Sequence, residues 1–187
     1  MIRTHHVASR SLLVLALIGL GPGRGNADGG SQILARLCEE YWQGTLKASP
    51  TTATSLGDHR YDALLEDISP TGLELERQRL EGVLAQVRTV DERELAAADR
   101  VTRSALILEL QNGLDGIACH VEDWVVDPLN GPQVAFMNLP DITAIRTPQH
   151  GVDFVLRCRA MGPYLDQHIA NLKGGLGAGR IAAHDPV

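Results

Sequence analysis

The chain has 187 residues, of which 44% are hydrophobic and 21% are charged, and its formal net charge is −6. This composition is typical of a globular domain and excludes collagen-like, coiled-coil and low-complexity disordered chains. Acidic residues outnumber basic ones and only 4% of residues are aromatic, so no cationic stripe with interleaved aromatic rings is available to bind a phosphate backbone. The sequence therefore argues against a nucleic-acid-binding protein.

The first 27 residues have the layout of a secretory signal peptide. A basic segment ends at Arg10, an apolar run follows over residues 11–20, and Gly25-Asn26-Ala27 supplies the small residues of a cleavage site. The run is shorter than the roughly 20 apolar residues of a spanning helix, although an uncleaved anchor remains the alternative. Cleavage after Ala27 would leave 160 residues with a net charge of −9. We expect an exported protein, periplasmic or secreted, with no membrane partner after cleavage.

Three cysteines follow the signal segment, namely Cys38, Cys119 and Cys158. Their odd number argues against a disulfide framework, and the absence of C-x-x-C spacing argues against a zinc ribbon or a redox motif. We expect small buried thiols, because free cysteine is among the most buried residue types. One bridge between Cys119 and Cys158 remains the alternative in an oxidising compartment.

The hydrophobic periodicity predicts an all-α protein, an irregular multi-helix bundle with one long proline-rich irregular segment. The expected helices cover residues 31–48, 49–56, 69–90, 91–117 and 147–173, the last one broken at Gly162-Pro163. Ser49 and Asp91 are the expected caps, and residues 105–110 are expected in the centre because they are apolar on most sides. Residues 124–151 contain four prolines and no periodicity, which predicts the irregular segment.

The densest group of reactive side chains follows Gly57. It comprises two carboxylates, an imidazole, a guanidinium and a phenol, carried by Asp58, His59, Arg60, Tyr61 and Asp62. Loops held by rigid helices commonly carry binding groups, so these five residues form a candidate substrate-binding loop. The alternative is a polar turn whose side chains bond to nearby backbone N–H groups.

Metal and phosphate sites are poorly supported by the motifs present. His120, Glu122 and Asp123 resemble half of a metal site, with His150 and His168 as further histidines, but zinc needs three or four ligands and the chain contains no H-E-x-x-H. The glycine-rich residues 174–179 follow a predicted helix and lack the Lys-Ser/Thr of a phosphate loop, so we expect a flexible end of a helix. We assign no metal ligand and no catalytic residue to this chain.

Residues 50–62 carry the pattern P-x-x-A-T-x-x-G-x-x-x-Y-D. With Glu40-Tyr41-Trp42 and Lys173-Gly174-Gly175, it makes residues 33–187 resemble the amino-terminal part of the bacterial family called domain of unknown function 885. That resemblance implies a mostly helical, often exported protein, grouped with zinc-dependent metallopeptidases because the carboxy-terminal half carries H-E-x-x-H. Zinc and a peptide substrate are implied for the full-length family, with no cofactor in this chain.

The resemblance also implies that residues 28–187 are the amino-terminal helical portion of a larger domain, whose partner is the missing carboxy-terminal catalytic half. The chain alone is then expected to be inactive. The alternative is a self-sufficient helical module that binds a peptide or a partner protein without catalysis. The two differ in their surfaces, since a fragment should leave apolar faces uncovered and a module should bury them.

Overall fold

The structure, a computed structural model, describes residues 29–124 and 131–180. The predicted signal peptide, residues 1–27, lies outside these described residues. The all-α prediction is confirmed for the described part, which forms six α-helices and three short 3₁₀ turns and has no strand. The helices are α1 Gly29–Ala48, α2 Pro50–Ser55, α3 Pro70–Thr89, α4 Ala97–Ala118, α5 Pro132–Ile142 and α6 Pro148–Gly177; the turns are His59–Tyr61, Glu92–Glu94 and Val121–Asp123.

The chain divides into two compact units. The first comprises residues 1–44 and 77–115, as far as these are described. Its core is apolar. Helix α1 contributes to this core one face on which apolar residues recur at the positions i, i+3, i+4 and i+7, as the sequence predicts. The buried side chains of this unit are Leu34, Leu37, Cys38, Tyr41, Leu80, Val83, Leu84, Val87, Val90, Leu95, Leu106 and Leu110.

The second unit, residues 45–76 and 116–187 as far as described, has a much more polar interior. Beside the apolar Leu46, Ala53 and Leu139 it buries seven polar or charged residues, Thr54, Asp62, Asp123, Thr143, Arg157, His168 and Asn171. Buried polar groups are costly unless they are hydrogen-bonded. The bonds that they make therefore determine how this unit is held together.

Two helix starts differ from the expected caps. Ser49 makes no side-chain hydrogen bond at the start of α2. Asp91 does cap, but it accepts from the Arg93 N–H and so closes the 3₁₀ turn Glu92–Glu94, and α4 begins only at Ala97. The predicted α4 start was therefore six residues too early. Its expected all-round burial is also wrong, because Leu106 is buried while Leu108 is 57% exposed.

The predicted irregular segment contains a helix, and this part of the prediction is wrong. Helix α5 occupies Pro132–Ile142, with Pro132 in its first turn and Pro140 inside it. A proline in the first helical turn costs little, because the N–H that it lacks would have no helical partner. Only residues 125–130 of the segment remain outside the described part.

Helix α6 is also longer than expected. It runs without a break through Gly162 and Pro163 to Gly177. Thr147 caps its start by accepting from the His150 N–H. Gly179 lies in the turn that follows the helix and adopts a φ of 75°. Pro163 removes one helical hydrogen bond, and side-chain bonds made by Arg157 and Asn171 hold the helix on either side of it. The glycine-rich run is therefore mostly helical.

The three cysteines are free thiols, so the alternative bridge between Cys119 and Cys158 is not formed. Cys38 is buried as expected, and burial raises the pKa of its thiol to about 11. Cys119 is exposed, which contradicts the expectation for that residue. No helix in residues 29–124 and 131–180 combines the length and the apolar content needed to cross a bilayer.

Candidate functional site

The candidate loop begins where α2 ends. Gly57 adopts a φ of 85°, a left-handed conformation that glycine accepts without the steric cost of a side chain. Its N–H donates to the Thr54 carbonyl at 2.9 Å, and the Asp58 N–H donates to the Ala53 carbonyl at 2.9 Å. These two bonds satisfy carbonyls at the end of α2 and turn the chain sharply into residues 58–62.

Asp58 and Arg60 pair with each other at the surface. The Asp58 carboxylate accepts from the Arg60 backbone N–H at 3.1 Å and from the Arg60 Nε at 2.9 Å. The hydrogen bond from the Arg60 side chain lowers the pKa of Asp58. Because the charges of this pair satisfy each other, the pair orders the turn His59–Tyr61 and contributes little stability as an exposed ion pair.

Asp62 is the buried centre of the loop. Its side chain is 1% exposed, and its two carboxylate oxygens accept from the Thr54 Oγ1 at 2.6 Å and from the His59 Nδ1 at 2.7 Å. Burial alone would raise the pKa of this carboxyl group. The hydrogen bonds from Thr54 and His59 and the charge of Arg157 outweigh burial, and the pKa is lowered.

Arg157, on α6, is the cation of this cluster. Its side chain is fully buried, and its Nη2 lies 3.9 Å from the Asp62 Oδ1. The guanidinium donates from Nε to the Leu64 carbonyl at 2.7 Å and from Nη2 to the Tyr61 carbonyl and the Thr54 Oγ1, both at 2.8 Å. Burial lowers the pKa of Arg157, while Asp62 opposes that shift. We call Thr54, His59, Asp62 and Arg157 the Asp62 cluster.

The segment that follows the loop is fastened to α6 through its backbone. The Ile68 N–H donates to the Gln167 Oε1 at 3.1 Å, and the Ile68 carbonyl accepts from the Asn171 Nδ2 at 2.8 Å. Together with the bond from Arg157 to Leu64, these contacts use three polar side chains along one side of α6. The polar residues inside this helix therefore position the candidate loop and the chain that leaves it.

His59 is the partly exposed member of the cluster, with 34% of its side chain accessible. A carboxylate can only accept, so the His59 Nδ1 carries the proton in its bond to Asp62. In the neutral ring the other nitrogen, Nε2, is an acceptor. The ring stacks on His150 with 4.4 Å between centroids and 21° between planes. This geometry can orient a ligand or transfer a proton at Nε2 of His59.

The histidine and the two acids after α4 do come together. Ligand atoms of His120, Glu122 and Asp123 lie within 4.8 Å of one another. However, the Arg180 Nε donates to the Asp123 Oδ2 at 2.7 Å, and the His120 Nδ1 lies 3.2 Å from the Glu122 Oε1. A cation at this place would have to compete with the guanidinium of Arg180. The other two histidines are elsewhere, with His150 stacked on His59 and His168 buried on α6.

The five predicted loop residues therefore have different roles. His59 and Asp62 belong to the Asp62 cluster, Asp58 and Arg60 form a separate surface pair, and Tyr61 contributes its backbone carbonyl. The bond from the Arg60 backbone N–H to Asp58 is of the kind that the polar-turn alternative describes, and substrate binding by the five residues stays a prediction. Sequence reasoning missed Arg157, and it considered His150 only as a further histidine for a metal site and not as a neighbour of His59. For Arg157 the available signal was a single cation in the apolar run Val155-Leu156-Arg157-Cys158, where burial requires a partner.

The model of a family described as bacterial protein of unknown function (DUF885) matches residues 50–186. The chain belongs to this family. The part matched by the DUF885 model contains the whole Asp62 cluster and the segment fastened to α6. Neither the curated proteins nor the solved structures gave a match to this chain.

Proposed function

We propose that this DUF885 chain is the amino-terminal helical portion of an exported zinc-dependent peptidase-like hydrolase, and that it is inactive alone. In this proposal a carboxy-terminal half supplies the H-E-x-x-H helix and the zinc. The resemblance described above supports the reaction class, and the DUF885 match supports the family. The most metal-like cluster among the described residues, His120 with Glu122 and Asp123, is already engaged by Arg180, so no catalytic step is assigned to it.

One observation carries the proposal, namely large apolar side chains left uncovered in each unit. In the first unit Val101 and Leu108, seven residues apart on one face of α4, are 60% and 57% exposed. In the second, Met137 on α5 is 79% exposed and Ile145 is 57% exposed. Exposed apolar groups at helical spacing are typical of surfaces that pack on further protein. They favour a portion of a larger domain over a self-sufficient module.

Within this proposal the Asp62 cluster forms one wall of the cleft that receives a peptide. The His59 side chain is 34% accessible, and in the neutral ring the bond from Nδ1 to Asp62 leaves Nε2 as the acceptor. The imidazole can then accept a hydrogen bond from a peptide N–H. Asp58, Arg60 and Tyr61 lie beside it in the same loop and complete the proposed contact surface.

The test compares this chain with a longer product of the same coding sequence. The 187-residue chain should hydrolyse no peptide with or without zinc, whereas a product extended through an in-frame H-E-x-x-H helix should hydrolyse peptides and lose activity on chelation. Zinc-dependent hydrolysis by the chain alone would contradict the proposal. A natural stop after Val187 with no neighbouring gene for the second half would do so as well.

The cleft assignment has its own test in a full-length homologue. Replacing the residues equivalent to Asp58, His59 and Tyr61 should weaken substrate affinity or turnover while circular dichroism shows an intact fold. Unchanged kinetics in a folded variant would remove the loop from the cleft. The export assignment is tested by sequencing the amino terminus of the protein recovered from the periplasm or medium, which should begin at Asp28.

A further inference from the structure

Helix α6 carries a stripe of apolar residues beside its polar buried side. The stripe follows a strict alternation of four and three residues along the helix, the spacing of a coiled-coil seam. Three of its members are about half exposed or more, since Val155 and Ile169 are each 48% exposed and Leu176 is 67% exposed. We call this stripe the α6 seam; its members are Gly151, Val155, Cys158, Gly162, Leu165, Ile169, Leu172 and Leu176.

The residues buried in the second unit belong to a different side of the same helix. Arg157, His168, Asn171 and Gly175 are buried there. A step of one residue turns an α-helix by about 100°. Four seam members each immediately follow one of these residues in the sequence, namely Cys158, Ile169, Leu172 and Leu176. The seam is therefore rotated by roughly that angle from the buried side. The helix thus has polar residues inside and an apolar stripe outside.

Two opposite charges lie beside the seam. Arg159 and Asp166 are exposed and lie seven residues apart, which places them on the same edge of the seam. They are about 10 Å apart along the axis and too far from each other to pair within one helix. No ion pair or hydrogen bond joins either side chain to any residue in the described ranges.

The pattern is self-complementary when a second helix runs in the opposite direction across Gly162. Val155 and Ile169 are each seven residues from Gly162, so each would lie opposite the other in the second copy. Arg159, three residues before Gly162, would lie opposite Asp166, four residues after it, and the pair would occur twice. An added Cβ at Gly162 would meet nothing within 4 Å, so the crossing point is open to close approach.

We propose that the α6 seam is an interface with a second copy of this chain, in which two α6 helices pack antiparallel about a two-fold axis at Gly162. Such an interface uses the same patch on both partners, so a patch must be complementary to itself. Arg159 and Asp166 provide that complementarity and fix the antiparallel direction, as charges beside a seam do in coiled coils. The proposal concerns a surface that the proposed function does not use.

The test exchanges the two charges in the 187-residue chain. In the dimer, Arg159→Asp places two acids opposite each other on both sides of the axis. Asp166→Arg places two arginines opposite each other at the same two places. Each variant should weaken dimerisation by about tenfold or more in sedimentation equilibrium. The double variant Arg159→Asp/Asp166→Arg should regain the dimer, and an equimolar mixture of the two single variants should form a mixed dimer. Circular dichroism checks that every variant is folded.

A cross-link tests the position of the axis. Gly162→Cys, in a chain with Cys119→Ser and Cys158→Ser, should form an intermolecular disulfide under mild oxidation, whereas Leu176→Cys in the same background should not. A monomeric wild-type chain would overturn the proposal, and so would a dimer that the single charge variants leave unchanged. The single variants could also dissociate while neither the double variant nor the mixture restores the dimer. This result would assign the seam to a different partner, such as the missing half, and would overturn the proposed α6 dimer too.

Discussion

Replacement of Arg157 by methionine should be the most damaging single change in the second unit. The methionine keeps most of the apolar stem and removes the guanidinium. The Leu64 and Tyr61 carbonyls and the Thr54 hydroxyl then lose donors at 2.7–2.8 Å. Asp62 also loses the charge of the guanidinium, 3.9 Å away, while its side chain remains 1% exposed.

The size of the effect follows from these contacts. Leaving a buried acceptor without a partner costs about 1–3 kcal/mol, and breaking a buried ion pair on one side costs about 3–5 kcal/mol. The contributions are not additive because the groups share one side chain. We therefore expect a loss of about 3–5 kcal/mol in the free energy of unfolding. Typical domains have only about 5–15 kcal/mol in total.

Urea denaturation followed by circular dichroism measures this loss. Since m is about 1–3 kcal/mol/M in urea, the midpoint should fall by roughly 2 M. Arg157→Lys should retain only part of the stability, because an ammonium group cannot reproduce the guanidinium fork. The matched control is Arg146→Met, at an exposed arginine, which should change the free energy by less than about 0.5 kcal/mol. A loss below about 1 kcal/mol for Arg157→Met would refute the reasoning.

Three further changes test other parts of the second unit. The folded pKa of Asp62 lies below its unfolded value of about 4. Its contribution to the free energy of unfolding is therefore present above that pH and is lost as the pH falls through the folded pKa. In Asp62→Asn, the acid titration of stability should lack this loss. Burial lowers the pKa of His168, whose two ring nitrogens have no hydrogen-bond partner among the described residues. Stability should therefore fall as the pH drops below about 6.5, because the unfolded histidine takes up a proton first. His168→Phe should abolish that fall and should not lower the free energy of unfolding at pH 8. Gly175→Ala should destabilise by about 1–3 kcal/mol, because its Cβ would lie 2.5 Å from the Asp123 Cβ, whereas Gly174→Ala meets nothing and should be neutral or stabilising by up to about 1 kcal/mol. Thermal or urea unfolding measures each; an acid profile unchanged in Asp62→Asn or His168→Phe, or equal behaviour of the two glycine variants, would contradict the corresponding assignment.

Local patterns were sufficient to predict α1, α2 and α3. In α1 the apolar side chains recur at helical spacing and face a core of the same kind, so the pattern and the burial agree. In α2 and α3, proline in the first turn marks the start. The same reasoning failed for α5, where four prolines were counted as helix breakers without regard to their position within a turn.

Tertiary contacts explain why α6 and the site were predicted less well. Arg157 lies more than 90 residues from the loop carbonyls to which it donates. The spacing of residues in the sequence gives no indication of hydrogen bonds over such a separation. In α6 the apolar Val152, Val155 and Ile169 are exposed, and polar residues occupy the buried side. The helix therefore follows its hydrogen bonds to residues 64–68 rather than its hydrophobic pattern.

The intact mass of the native protein tests the central proposal most directly. An antibody raised against the loop at residues 57–62 can recover the protein from its source cells, and mass spectrometry can then measure it. We predict a mass well above the 20.2 kDa of this chain, with peptides from an H-E-x-x-H helix in the same polypeptide. A native mass at or below that of the chain, with no second polypeptide recovered that carries this motif, would contradict the proposal that the chain is one portion of a peptidase-like protein.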